Sequence, residues 1–167
     1  MTDQRRTSQD QFGALAARYG ASKTHTDRFS LVDVADFLPD RQYQVAIDVG
    51  AGPGFTAFSI ASKTQRVIAL DITPEMLQQA KTLRHDRGAP QTELALARAE
   101  TLPFANQSID LIACRTAAHH FDDVGAWLSE CFRILQPGGI LVMIDTVSPE
   151  DPVAASWMHE IELQRDP

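Results

Sequence analysis

At 167 residues the chain has the length of one domain and can bury a core of its own. Its 44% apolar and 22% charged residues are the proportions of a soluble globular protein. A formal net charge of -7, with no basic run or stripe, argues against a nucleic-acid partner held through its phosphates.

The first ten residues are polar and expected to fray. Phe12, Leu15, Ala16 and Tyr19 then recur at helical spacing and predict a helix over Gln11 to Tyr19. A second helix is predicted from Thr26, an N-cap residue, to Leu38, with Phe29, Val32, Val34, Ala35 and Leu38 as its apolar positions. Pro39-Asp40 closes it. The apolar run Val45 to Val49 predicts a buried strand that carries Asp48 near its end and breaks into Gly50, Gly52 and Gly54. Phe55, Phe58, Ile60 and Ala61 predict a helix directly after the glycines. Arg66 to Leu70 is a second strand, ending in Asp71. Thr73-Pro74-Glu75 opens the next helix, with proline in its first turn, and Met76, Leu77, Ala80 and Leu83 face the sheet. Gly88-Ala89-Pro90 ends it after Arg87.

A third strand follows over Thr92 to Ala97, then a loop from Arg98 to Phe104 and a polar stretch, Asn106-Gln107-Ser108. Ile109 to Cys114 is the fourth strand, Asp122 to Leu135 a helix, Pro137-Gly138-Gly139 a turn, and Ile140 to Val147 the fifth strand. A last helix is predicted from Pro149 to Gln164. Strands alternating with helices give an α/β fold: a doubly wound, Rossmann-like, mostly parallel sheet with helices on both faces and right-handed crossovers. Cys114 and Cys131 sit in apolar segments without metal-ligand spacing or a disulfide framework, which points to a reducing cytoplasm. No apolar run approaches the length of a membrane span, and the polar start is unlike a signal peptide.

Strand, glycine turn and helix together make a nucleotide-binding turn. Glycine tolerates positive φ and lets a ligand approach the backbone, and the following helix would aim its N–H groups at that ligand. A dinucleotide site has a third glycine where this chain has Phe55. Here the spacing is G-x-G-x-G with an acid two residues before the first glycine. Asp71 follows Gly54 by seventeen positions, where such folds place the acid that grips ribose hydroxyls; it is also placed to serve as the acid at a helix N-terminus. After strand four, the stretch from Cys114 to Phe121 lies at the carboxyl edge of the sheet, beside the switch point. His119 and His120 within it are candidates for a general base or a substrate contact. The alternative is that one packs in the loop and the other caps or solvates the next helix, since adjacent side chains do not easily face one point. Tyr19, Ser22 and His25 are candidates for a lid, against ordinary packing.

Four stretches carry a resemblance. Asp48 to Gly54 is the first. Val67-Ile68-Ala69-Leu70-Asp71 with Pro74, Met76 and Leu77 is the second. Ala99-Glu100-Thr101-Leu102-Pro103-Phe104 with Ser108-Ile109-Asp110 is the third, and Glu130 to Gly139 is the fourth. In this order they resemble the type 11 group of class I S-adenosylmethionine-dependent methyltransferases, related to the ubiquinone and menaquinone biosynthesis enzymes. The resemblance covers residues 10–167.

It implies S-adenosyl-L-methionine as cofactor, S-adenosyl-L-homocysteine as product, and methyl transfer to a small-molecule acceptor. A binding module without catalysis is the alternative, motivated by the short end and by Arg98. A nicotinamide oxidoreductase is a third reading, opposed by Phe55. By the same resemblance Asp48, Gly50, Ala51 and Gly52 surround the methionine and ribose end, and Gly54 supports the turn. Asp71 binds the ribose, Ile72 lies against adenine, Ala99 offers its N–H to adenine with Glu100 beside it, and Arg115 lines the cofactor with backbone. Arg98 stands where the family often has an acid that meets the adenine amino group. A guanidinium cannot accept that bond, so either backbone and Glu100 serve or affinity falls.

The implied organisation is one domain over 1–167, with N-terminal helices or a lid over 1–40, a Rossmann-like core over 41–147 and a C-terminal helix over 148–167. A domain of this family has seven strands, and five are placed, so the final hairpin is expected to be missing. Strand five would then be an open edge, covered by Trp157, Met158 and Ile161 or by a homodimer through that edge or the C-terminal helix.

Overall fold

The computed structural model describes residues 13, 15–18, 20 and 34–165. Five parallel strands form one sheet in the order β3-β2-β1-β4-β5, with β1 at Tyr43–Val49, β2 at Thr64–Asp71, β3 at Glu93–Leu96, β4 at Ile109–Arg115 and β5 at Leu135–Ile144. Helices α1 (Phe55–Ile60), α2 (Pro74–Asp86), α3 (Val124–Ile134) and α4 (Pro152–Arg165) connect or follow them.

The central strands carry apolar runs, Val45 to Ile47, Val67 to Leu70 and Leu111 to Cys114, because both faces are covered there. Ala46, Val67, Ala69, Leu111 and Ala113 point to one cluster with Ala57, Phe58 and Ile60 of α1 and Ala80 of α2. Their neighbours Ile47, Val49, Ile68, Leu70, Ile112 and Cys114 point to the other, with Trp127, Cys131 and Ile134 of α3. The strand order reverses between β1 and β4, so loops leaving their carboxyl ends diverge and open a crevice there.

Several elements depart from expectation. The helix predicted to end at Leu38 finishes as a 3-10 turn, Val34–Phe37, and its Thr26 start lies outside the described residues. Residues 15–18 are helical, as expected, with Ala16 buried, while Tyr19, Ser22 and His25 lie outside the described residues. Pro137-Gly138-Gly139 is not a separate turn. Ile109 pairs with Leu135 but Leu111 pairs with Ile140, so these residues bulge out of β5, with Gly138 at φ 79°.

β5 also stops at Ile144 rather than Val147, because Asp145 turns to meet the loop after β4. Trp157 and Ile161 do not cover the β5 edge: they are 67% and 64% exposed, and only Met158 is half-buried. Among the described residues no helix is long and apolar enough to cross a membrane.

Candidate functional site

The turn after β1 is built on three left-handed glycines, with φ 69° at Gly50, 52° at Gly52 and 90° at Gly54. Each meets a different neighbour. A Cβ on Gly50 would lie 2.6 Å from the Ala117 Cβ, so the loop after β4 packs directly on the turn. A Cβ on Gly54 would lie 2.6 Å from the Phe58 ring, so this glycine lets α1 close against the turn. Gly52 alone has nothing within 4 Å, so its α-carbon faces open space. The Ala51 N–H donates to the Leu70 carbonyl at 2.9 Å and fastens the turn to β2.

Asp48 is fully buried at the end of β1. Its Oδ2 accepts from the Ala57 N–H at 2.9 Å, so it satisfies a first-turn donor of α1 that Gly54, the N-cap, has no side chain to reach. The expected fan of N–H groups aimed at a ligand is reduced accordingly: α1 has six residues, and the Phe58 N–H goes to the Gly54 carbonyl. Burial pushes the Asp48 carboxyl up to about 7; Arg115 and the Ala57 N–H pull it down, and the Asp71 charge raises it further.

Asp71, at the end of β2, ties the crevice together. Its Oδ2 accepts from the Gly52 N–H at 2.7 Å and its Oδ1 from the Thr73 N–H at 2.8 Å. Burial raises its carboxyl above the usual range, and the hydrogen bonds from Thr73 and Gly52 oppose that rise. Asp71 thus anchors the start of α2, as the acid at a helix N-terminus, and stands beside the open face of Gly52. The Thr73 hydroxyl and the Ile72 N–H also hydrogen-bond to this carboxylate and add to the pull against its raised value.

The loop after β4 is strained at one point. Thr116 is β-branched yet has φ 53°, held by its N–H to the Ile144 carbonyl at 2.7 Å. The kink brings Ala117 and Phe121 onto Gly50 and carries His119 across to β5. There the His119 Nδ1 lies 2.6 Å from Asp145 Oδ1, and the His119 backbone N–H donates to Asp145 Oδ2 at 3.2 Å. The His119 and His120 rings do meet, with centroids 3.9 Å apart and an interplanar angle of 51°.

On the β3 side, Ala99 is buried and Ile72 half-buried. Glu100 Oε1 accepts from the Asp122 and Asp123 N–H groups at 3.0 and 3.4 Å, so it fixes the start of α3. Arg98 donates to Asp122 at 2.6 Å and lies 3.4 Å from Glu100 Oε2. Arg98 thus braces this loop against the segment before α3. Arg133 grips Glu130 through Nε and Nη2 at 2.7 Å each and donates to the Leu102 and Phe104 carbonyls, while Glu130 Oε2 takes the Leu102 N–H at 2.8 Å.

The family described as "Methyltransferase domain" matches residues 47–143, from β1 into β5. The chain belongs to this methyltransferase family. It is 32% identical over 161 residues to an uncharacterized methyltransferase, YcgJ, of Bacillus subtilis, covering 96% of this chain and 64% of that one. The crystal structure of YcgJ superposes with a TM-score of 0.71 at 34% identity, over 80% of this chain and 57% of YcgJ. A demethylmenaquinone methyltransferase of Chlorobaculum parvum is 32% identical over 108 residues, 64% of this chain and 43% of that protein. The chain thus spans less than two thirds of the length of these relatives.

Within this family member the sequence did not point to Asp145, Thr116 or the Ala117–Gly50 contact. The sequence carries no signal for the Asp145 contact, because the apolar pattern of strand five reads on past it to Val147.

Proposed function

We propose that this methyltransferase binds S-adenosyl-L-methionine in the crevice above β1, β2 and β4, transfers the methyl group to a small-molecule acceptor and releases S-adenosyl-L-homocysteine. The observation that carries the reading is the pairing of Gly52 and Asp71. An open backbone face stands beside a buried carboxylate whose own N–H donor comes from that same glycine. When bound, the cofactor supplies a methyl group already activated on a sulfonium. The chain's work is then to bind and align, and proximity accounts for most of the catalysis.

In this reading Asp71 takes the ribose hydroxyls. Gly50, Ala51 and Gly52 lend backbone to the methionine and ribose end, with Asp48 behind them and Gly54 holding the turn. Ile72, Ala99 and Glu100 flank the adenine. Arg115 lines the cofactor beside Asp48, and His119 and His120 face the acceptor. The acidic balance of the chain supports a small acceptor over a nucleic acid. Two free, buried cysteines support a cytoplasmic setting.

We further propose one domain over 1–167, with 41–147 as core, 1–40 as lid and 148–167 as the C-terminal helix. A homodimer through the β5 edge or α4 would cover Val153, Trp157 and Ile161, an exposed stripe at helical spacing.

Calorimetry with S-adenosylhomocysteine and its 2′-deoxy analogue tests the cofactor site without altering the protein. A charge-assisted hydrogen bond lost at Asp71 should weaken the analogue about 10- to 100-fold. Equal binding of the two compounds, or no binding of either at millimolar concentration, would remove the reading.

A further inference from the structure

The structure pairs two residues that no local sequence pattern links. His119 sits on the loop after β4 and Asp145 directly follows β5, twenty-six positions later. The aspartate is only 12% exposed and is gripped on three sides: by the His119 ring, by the His119 backbone N–H, and by the Thr146 N–H at 2.8 Å. The histidine is 36% exposed. Its ring is thus held at Nδ1 by a carboxylate with further backbone partners, on a loop held at the glycine turn by Ala117 against Gly50. An ionised carboxylate only accepts hydrogen bonds. Where the carboxylate accepts at 2.6 Å the proton belongs to Nδ1, and a neutral ring in that tautomer has its lone pair on Nε2. Among the described residues His120 also lies against this ring.

We propose that Asp145 is a positioning residue that holds His119 as a general base, and that the acceptor of this methyltransferase is a hydroxyl compound, an alcohol or a phenol. The proposal rests on the methyl-transfer reading above. A hydroxyl is an acceptor that needs such a base, because it must lose a proton that is held tightly at neutral pH, as a carbon acid must also. A carboxylate is already ionised near neutral pH, a thioether or tertiary amine has no proton to lose, and a primary amine attacks first and loses its proton afterwards. For a hydroxyl the O–H bond breaks as the O–CH3 bond forms. The proton passes to His119 Nε2, and the electron pair of the broken S–CH3 bond stays on sulfur, which becomes a neutral thioether. The imidazolium that results is stabilised by the Asp145 carboxylate beside it.

The experiment has two arms on the full chain. Long-range proton–nitrogen NMR of the histidine rings, with His119 assigned by its loss in His119→Gln, reads the tautomer directly and needs no acceptor. The expected result is the Nδ1–H form in the native protein and its loss in Asp145→Ala. An Nε2–H tautomer in the native protein, or one unchanged in Asp145→Ala, overturns the proposal.

The second arm offers S-adenosylmethionine with a panel of phenols, alcohols, tertiary amines and thioethers. Asp145→Ala and His119→Gln should each lower kcat on hydroxyl acceptors by about 100-fold or more, with S-adenosylhomocysteine affinity by calorimetry held within about twofold. Turnover of amines or thioethers and of no hydroxyl compound overturns the proposal. The two readings fail differently. If the Asp145-dependent tautomer is present but S-adenosylhomocysteine does not bind, methyl transfer falls and takes this proposal with it. If S-adenosylhomocysteine binds but the tautomer is not there, only this proposal falls.

Discussion

Asp48 offers the sharpest test of how the crevice is built. The carboxyl lies at 1% exposure between the two faces of the sheet, and burial holds it at about 7. In the unfolded chain it titrates near 4. The folded state therefore binds the proton more tightly, and between those two values the unfolded chain carries fewer protons than the folded one. Stability from this group is complete below about pH 4, declines as pH rises, and is lost once pH passes about 7. A gap of about three decades is worth about 4 kcal/mol at full extent.

Asp48→Asn removes the titration and keeps an oxygen that can accept from the Ala57 N–H. The stability of the variant relative to the native chain should therefore grow in its favour by about 3 kcal/mol between about pH 4.5 and about pH 8. In a chain of this size that is a change of about 10 °C in the difference between the two melting temperatures. Urea denaturation of both proteins at the two pH values reads it, and the subtraction cancels every group the two proteins share. A difference equal at both pH values would mean that the carboxyl ionises as easily folded as unfolded, and the burial argument would fail.

Gly50→Ala and Gly52→Ala separate packing from binding. At Gly50 the new methyl meets Ala117 at 2.6 Å at φ 69°, so strain and overpacking together should destabilise the fold by about 2–5 kcal/mol in denaturation. At Gly52 the methyl meets nothing, so the loss should stay near the left-handed cost of about 1–2 kcal/mol, while S-adenosylhomocysteine affinity falls at least about tenfold; unchanged affinity would speak against a ligand at that face. Thr116→Gly should raise stability by about 1 kcal/mol by relieving a β-branched residue at φ 53°, read by thermal melting. Arg133→Lys exchanges a forked donor set for a point charge and should cost about 1–3 kcal/mol, with faster proteolysis at Leu102–Asn106 as the local readout. Light scattering at high concentration should give the mass of a dimer that Trp157→Glu dissociates; a monomer mass for the native chain removes the dimer.

The parts of the fold that were legible are those whose signal is local. β1, β2 and β4 read as unbroken apolar runs because Ala46 and Ile47, or Ala113 and Cys114, each face a different covered side. The glycine turn read correctly because three left-handed positions within five residues demand glycine. β5 read less well because it is an edge. The apolar run continues to Val147, but Val147 is 82% exposed, and hydropathy alone does not say where an edge strand stops pairing.

What was illegible is the set of partners that meet only after folding. Asp110 of the third stretch of resemblance accepts from the Val45 N–H at 2.9 Å, sixty-five positions away, and also holds Gln136. Glu130 of the fourth reaches Leu102, twenty-eight positions away. These side chains stood out in the sequence as family marks, and in the molecule they hold loops and strand starts in place. The three acids at strand ends show why type and position do not fix a role. Asp48 reaches forward to satisfy a helix donor, Asp71 binds the glycine turn and the next helix at once, and Asp145 turns outward to a histidine. The same residue type at the same edge of the sheet does three different things, because each strand end faces a different set of unpaired donors.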